Sequence, residues 1–207
     1  GWRSDGVTVK KINCKNCGSD ISETLIPKYQ VPRFGIPLVL IDSVKLAECP
    51  KCGKQEYSLP DICDLIATAA VSRVIAPKQL SAIEIRFIRK ALGLTAVEFA
   101  RILGTTLETI SRWENEKLTN MSTSTEKLIR LLALNRLASE DFDINANSDR
   151  IINMDIERHN GKPTPMEQEI KLTSASITHV KRKLSWNKRG QKTATTNRAR
   201  GELCLVR

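Results

Sequence analysis

Aromatic residues make up only 4% of this 207-residue chain, so any core it builds is small and aliphatic. Histidine is scarcer still. His159 and His179 stand in the poorly patterned last third, neither beside a nucleophile or a carboxylate pair, and both read as ordinary surface residues. No glycine-rich phosphate loop is present either, so the usual hydrolytic and nucleotide-transfer constellations are excluded and a non-enzyme is expected. Apolar runs stay well short of the roughly 18 to 20 residues of a membrane span, and no basic start leads into an apolar stretch with a small-residue cleavage site. The expectation is a soluble, cytoplasmic protein without a membrane partner. The opening residues GWRSDG lack a starting Met, and Gly1 is set aside from the fold. Acidic residues are also in deficit, 23 against 33 Lys and Arg, which leaves a formal charge of +10 and calls for a polyanion or an acidic partner. Most of that excess lies between Lys171 and Arg207, where Glu202 is the lone acid. Domains most often run about 100 to 150 residues, so two modest units plus connecting material fit the length.

Cysteine, by contrast, is patterned. Cys14-Lys-Asn-Cys17 and Cys49-Pro-Lys-Cys52 are each followed at once by a glycine, Gly18 and Gly53. A C-x-x-C turn sets two sulfurs on one side of an ion, the glycine permits the tight turn, and two such turns supply the four tetrahedral thiolates that zinc takes at about 2.3 Å. Paired disulfides and a redox C-x-x-C are the competing readings. The first is disfavoured in the cytosol, and the second needs no second copy at this spacing. Four sulfurs leave no open position, so the zinc is expected to be structural, and four thiolates plus Zn2+ bring the net charge to about +8. Between the knuckles lies a Val-, Ile- and Leu-rich segment broken by Pro32, Gly35 and Pro37, which reads as two or three short strands. Cys63 falls in a helical pattern with Ile62, Leu65, Ile66, Ala69, Ala70 and Val74 and reads as an unpaired, buried, small apolar group. Cys204 receives no role.

Three capping boxes follow: Ser81 to Glu84, Thr95 to Glu98 and Thr123 to Glu126. After Thr95, the residues Val97, Phe99, Ala100 and Leu103 form an apolar side, Gly104 makes the turn, and Thr105 or Thr106 caps the next helix. Ile110 then faces inward, with Leu107, Trp113 and Glu114 on its flank. Two short helices joined by a glycine-containing turn form a helix-turn-helix. Glu108, Thr109 and Arg112 fall on the opposite face, with Thr105 and Thr106 at a helix N-terminus that favours a phosphate. Arg112 is placed to donate both its nitrogens to a guanine edge, and Glu108 to accept from a cytosine amine. Two bland readings stand beside these: Glu108 completing a cap with Thr105, and Arg112 as a solvated surface charge.

LTAVEFARILGTTLETISRWENEK resembles the DNA-binding motif of the XRE, or lambda-repressor-like, class. Placed after two zinc knuckles, it resembles the MqsA-type antitoxins with a YgiT-type zinc finger, over roughly residues 12 to 138. The paired CxxC, the Val-Pro and Gly-Ile-Pro strands, Arg89-Lys90 ahead of Gly93-Leu94-Thr95, and Ser111-Arg112-Trp113-Glu114 carry the likeness, and Arg89 and Lys90 join Thr105, Thr106, Glu108, Thr109 and Arg112 as candidate DNA contacts. It implies a structural zinc domain that contacts or neighbours a toxin, and a second domain that dimerises and represses its own operon at a palindrome in a bacterial cytoplasm. Glu108 stands where such antitoxins typically carry a base-reading Asn, so the operator is expected to differ, while the Arg is kept at Arg112. The chain also continues well past the last helix of that pattern.

The fold class expected is therefore α+β and multi-domain. A small β-rich four-cysteine zinc domain spans residues 12–76, an all-α helix-turn-helix domain 77–140, and a basic extension 141–207. In the helix from Glu126 to Ala138, Leu128, Leu131 and Leu132 form one stripe and Ile129, Ala133 and Leu134 begin another, so the Leu128, Leu131 and Leu132 stripe is the dimer-interface candidate and full burial the alternative. Two copies would set recognition helices about 34 Å apart, one turn of double-stranded DNA. Beyond it, SEDFDINANSDR reads as a linker, INMDIERHNGKPTP as a strand and turn, Ile170 and Leu172 as a strand, and Ile177, Val180 and Leu184 as a helical pattern. The basic end is either a disordered arm that adds phosphate contacts or a small fold that binds an acidic partner. Trp186 is either a base-stacking or a packing residue. Rival functions are a regulator of a mobile element without a toxin, and an RNA-binding zinc ribbon.

Overall fold

The computed structural model describes residues 12–115, 121–138, 148–158 and 163–172. The first knuckle sits in a two-residue hairpin, β1 (Ile12–Asn13) with β2 (Asp20–Ile21). Two long antiparallel strands follow, β3 (Glu23–Gln30) and β4 (Leu38–Glu48). Their register shifts between Ile26 and Lys28, at Pro27, whose missing N–H is tolerated at a bulge on an edge strand. β5 (Gln55–Ser58) returns from the second knuckle and pairs with the far end of β4.

α1 (Ile62–Ile75) starts at Asp61, whose carboxylate accepts from the N–H groups of Cys63 and Asp64, and ends before Pro77. It is buried on more than one side. Leu65, Ala69 and Ala70 pack on Leu38, Leu40 and Val44 of β4, while Val71 and Val74 face the later helices. Small alanines on the sheet side let the helix approach closely. Cys63 is buried in this helix as expected, but its sulfur is disulfide-bonded rather than free.

α2 (Ala82–Ala91), α3 (Ala96–Ile102), α4 (Leu107–Glu114) and α5 (Thr123–Leu137) complete a helical bundle. Ile85, Ile88, Phe99, Ile110, Trp113, Ile129 and Ala133 form its core. The boxes at Ser81 and Thr95 are present, the Thr95 hydroxyl accepting from Glu98 N–H and the Thr95 N–H donating to the Glu98 carboxylate. The third is displaced: α5 is capped by Ser122, which accepts from Thr125 N–H, and Glu126 turns inward. Val97 was expected on the apolar side of α3 but is 61% exposed.

Residues 148–158 and 163–172 are woven into the body. α6 (Ser148–Ile152) occupies the end of the expected linker and lays Ile151 against Val71 and Leu134 together with Met154 and Ile156. β6 (Gln168–Ile170) then joins β4 in parallel, with Ile170 and Leu172 buried as their alternation suggested. Phe34, from the β3–β4 connection, stacks on Phe87 of α2 at 5.4 Å, so core side chains meet across both sides of residue 76. The whole is α+β: a strand-rich region bearing four clustered cysteines, followed by a helical region.

Two fully buried ion pairs pin the connection between these regions. Arg73 on α1 holds Glu84 at 2.5 Å and donates to the carbonyls of Lys78 and Gln79. Glu84 also accepts from Ser81 and from the N–H of Met166. Arg130 on α5 holds Glu126 at 2.7 Å and donates to the carbonyls of Val74, Ala76 and Lys78, while Glu126 accepts from Leu80 N–H. The last carbonyls of α1, which no helical N–H can reach, thus end on a guanidinium.

Candidate metal centre and nucleic-acid interface

The two knuckles are built alike. In each, the first cysteine's N–H donates to a carbonyl five residues on and its carbonyl accepts from the glycine N–H, from Ser19 and Gly18 in one case and Lys54 and Gly53 in the other. Gly18 and Gly53 have φ of +73° and +68°, the left-handed turn a glycine makes without strain. β4, running from one hairpin to the next, brings the turns face to face. Cys14 and Cys52 stand 3.6 Å apart, Cys17 and Cys49 3.5 Å, and all four sulfurs lie within 4.8 Å of one another. Sulfurs at about 2.3 Å from one tetrahedral ion sit roughly 3.8 Å apart, so the four fit a metal ion.

The surroundings ease ionisation at two of the sulfurs and oppose it at a third. The Asn16 side chain and the Lys54 N–H draw the Cys52 thiol down to about 6, and the hydroxyl and N–H of Ser19 lower Cys17. For Cys49 the N–H of Cys52 pulls down, but burial and the sulfurs of Cys17 and Cys52 outweigh it and push it up to about 11. Four thiolates do not crowd together without a cation to share.

In the helical region Gly104, at φ +63°, turns α3 into α4. Thr106 is the cap, its hydroxyl accepting from Thr109 N–H, while Thr105 N–H closes back on Ala100. The ambiguity in the cap is thereby resolved to Thr106, and Glu108 falls one residue short of a capping-box position. Its own N–H and the Thr106 hydroxyl, with Arg112 adding to them, nonetheless hold the Glu108 carboxyl below the usual range. Ile110, Trp113 and Glu114 are buried; Glu108, Ser111 and Arg112 are exposed. Leu107, expected on the inward flank, is 44% exposed, because it occupies the first turn and lies over the edge of the core. Thr109 is half-buried with its hydroxyl 3.2 Å from that of Thr106.

Arg89 and Lys90 part company. Lys90 is exposed, whereas Arg89 forms a two-bonded ion pair with Glu114 at 2.5 and 2.9 Å and donates to the Leu94 carbonyl. Arg86 adds bonds to the Glu114 carbonyl and to Asn115. These arginines brace α4 against α2, a role the sequence reading missed although Arg86 and Arg89 share one helical face three residues apart. Of the leucines assigned to a dimer stripe, only Leu128 is exposed. Leu131 packs on the Ile151 cluster and Leu132 on the bundle core, so the three do not form one open surface. Residues 173–207, including His179, Trp186 and Cys204, lie outside the described residues, as does His159. Among the described residues no helix is long and apolar enough to cross a membrane.

A family model described as the antitoxin component of the bacterial toxin-antitoxin system, MqsA, matches residues 12–137. No curated protein and no solved structure matches the chain.

Proposed function

Because the chain belongs to the family of MqsA antitoxin components of bacterial toxin-antitoxin systems, we propose that it is a sequence-specific DNA-binding repressor. It would act by occupying a palindrome near its own promoter as a dimer, and bind a toxin encoded beside it. One observation carries the DNA reading: α4 buries Ile110, Trp113 and Glu114 and leaves Arg112 and Glu108 on its outer face. Its width of about 10 to 12 Å matches a major groove about 12 Å wide. Arg112 is free to donate two bonds to a guanine, and Glu108 to accept from a cytosine amine. Thr105 and Thr106 serve the turn and cap, and Glu108 sits where a phosphate would approach that helix end, so Lys90 and Arg101, both exposed, are the better phosphate contacts. Arg89 and Thr109 act through the helices they hold.

Cys14, Cys17, Cys49 and Cys52 would hold a zinc ion. With sulfur in all four positions it offers no site for water or substrate, and it supplies the cross-link that a strand region with few aromatics lacks. Dimerisation would use the exposed part of α5 at Leu128. The protein works by binding rather than by catalysis, in the bacterial cytoplasm.

A binding titration on the DNA upstream of its own reading frame, at several salt concentrations, tests the repressor reading. Arg112→Ala is expected to lower specific affinity about tenfold or more while leaving nonspecific binding in place. Equal affinity of the two proteins for that DNA would overturn it. Co-purification with the product of the adjoining frame tests the toxin.

A further inference from the structure

On the premise that α4 enters the major groove, we propose that Leu107 reads the C5-methyl of a thymine about two base steps from the base that Arg112 contacts. Four of the eight residues of α4 point outward, in two columns one helical turn long: Leu107 with Ser111, and Glu108 with Arg112. Three of the four are polar. Leu107 is not, and 44% of its surface is open to solvent, outside the buried clusters of the core. An apolar side chain on an otherwise polar outer face loses nothing by being covered and has one apolar feature to meet on the floor of a major groove, the thymine methyl.

The electrostatics of this helix end point the same way. The Glu108 carboxylate lies against its own N–H and the Thr106 hydroxyl, and the Thr106 hydroxyl takes the Thr109 N–H. The Thr109 and Glu108 N–H groups, two of the donors that would otherwise draw a phosphate, are already engaged, and a carboxylate stands beside them. The first turn is therefore unsuited to the sugar-phosphate backbone and suited to base edges, which is where the N-terminal residues of a recognition helix reach. Leu107 and Arg112 are five residues apart, about 7.5 Å along the axis, against roughly 3.4 Å between base pairs. Two steps separate the bases they meet.

The test uses the full-length, metal-loaded protein and a randomised duplex library. From the selected site, each thymine is replaced in turn by uracil, which removes the methyl and nothing else. Uracil at one thymine per half-site is expected to weaken the wild-type protein about three- to tenfold. Leu107→Ala should lose a similar factor on the thymine duplex and nothing more on the uracil one; because the side chain is exposed, the variant folds, and the uracil series on the wild-type protein needs no variant at all. A selected half-site without thymine, uracil tolerated at every position, or equal uracil penalties for both proteins overturns the role of Leu107. So does a loss on all duplexes alike accompanied by a change in sedimentation mass, which would mark a protein contact. If a site is selected and Arg112→Ala abolishes the preference while uracil has no effect, the DNA reading stands and this inference alone falls. If no sequence is enriched, both fall together.

Discussion

Arg89 and Arg112 have the same side chain and opposite surroundings. Arg89 is 12% exposed and locked by two bonds to a Glu114 that is 7% exposed; Arg112 is exposed, with Glu108 on the same face. Removing one member of a largely buried pair strands the other, so Glu114→Ala is expected to cost about 3 kcal/mol, read as a shift in denaturation midpoint. Arg112→Ala should cost less than about 0.5 kcal/mol of stability while weakening DNA binding. A protein in which both substitutions cost stability equally would have its recognition face elsewhere. The helical period told Ile110 and Trp113 from Arg112, because one wheel suffices for that. It could not tell which basic face of α2 meets α4, and so Arg89 was grouped with Lys90. Leu107 and Val97 escaped for a related reason: in the first turn of a short helix the periodic pattern still runs where the core has already ended.

At the scale of elements, what was legible was local. The knuckles are written in six residues each, and the caps at Ser81 and Thr95 in four. The cap of α5 was misplaced by one because Met121-Ser-Thr-Ser-Thr-Glu126 offers hydroxyls in successive registers, and the choice was settled by Glu126, drawn away to Arg130 and Leu80. The knuckle elements also carry the pH dependence. Metal-bound sulfur must be ionised, so the bound state depresses the thiol values, and its stabilisation is present at high pH and lost as pH falls. Cys49, pushed up to about 11 against the pull of the Cys52 N–H by burial and the sulfurs of Cys17 and Cys52, would release its proton on binding. Metal affinity should therefore rise with pH through the neutral range, with proton release measurable in a weakly buffered titration. Chelation at pH 7 should release amide protection in β1, β2, β5 and the far end of β4 first, since the two-residue strands have little else to hold them. Protection there unchanged after metal removal would mean the hairpins stand without the ion.

For the molecule as a whole, the division expected near residue 76 followed the knuckles and the helix starts after Pro77, and neither shows what α1, the helix read around Cys63, packs on. That helix packs on β4 with one side and on α5 with another, and Arg73 and Arg130 fasten its end to the following segment. Non-local burial of this kind leaves no trace in periodicity. Arg130→Met alone should cost about 3 to 5 kcal/mol by stranding Glu126, whereas Arg130→Met with Glu126→Leu should recover much of it, because two matched apolar groups replace a desolvated pair. A double variant as unstable as the single one would show that the bonds from Arg130 to Val74, Ala76 and Lys78, rather than the ion pair, hold the joint.

The extension divides by the same logic. β6 gives β4 a third neighbour, Met166 bonds the buried Glu84, and Ile151, Met154 and Ile156 cover Val71 and Leu134. Ending the chain after residue 138 uncovers that cluster and removes an acceptor's partner from a buried carboxylate, so the free energy of unfolding should fall by several kcal/mol and the midpoint with it. Ending it after residue 172 removes nine of the basic residues and none of these contacts. With the disulfide at Cys63 reduced in every protein compared, the shorter loss should leave the unfolding midpoint in place and flatten the salt dependence of DNA binding, by about 0.9 in the log-log slope for every phosphate the removed residues neutralise. An unchanged slope would assign the basic end to an acidic partner other than DNA. An unfolding midpoint that fell equally for both truncations would instead place the stabilising contacts beyond Leu172.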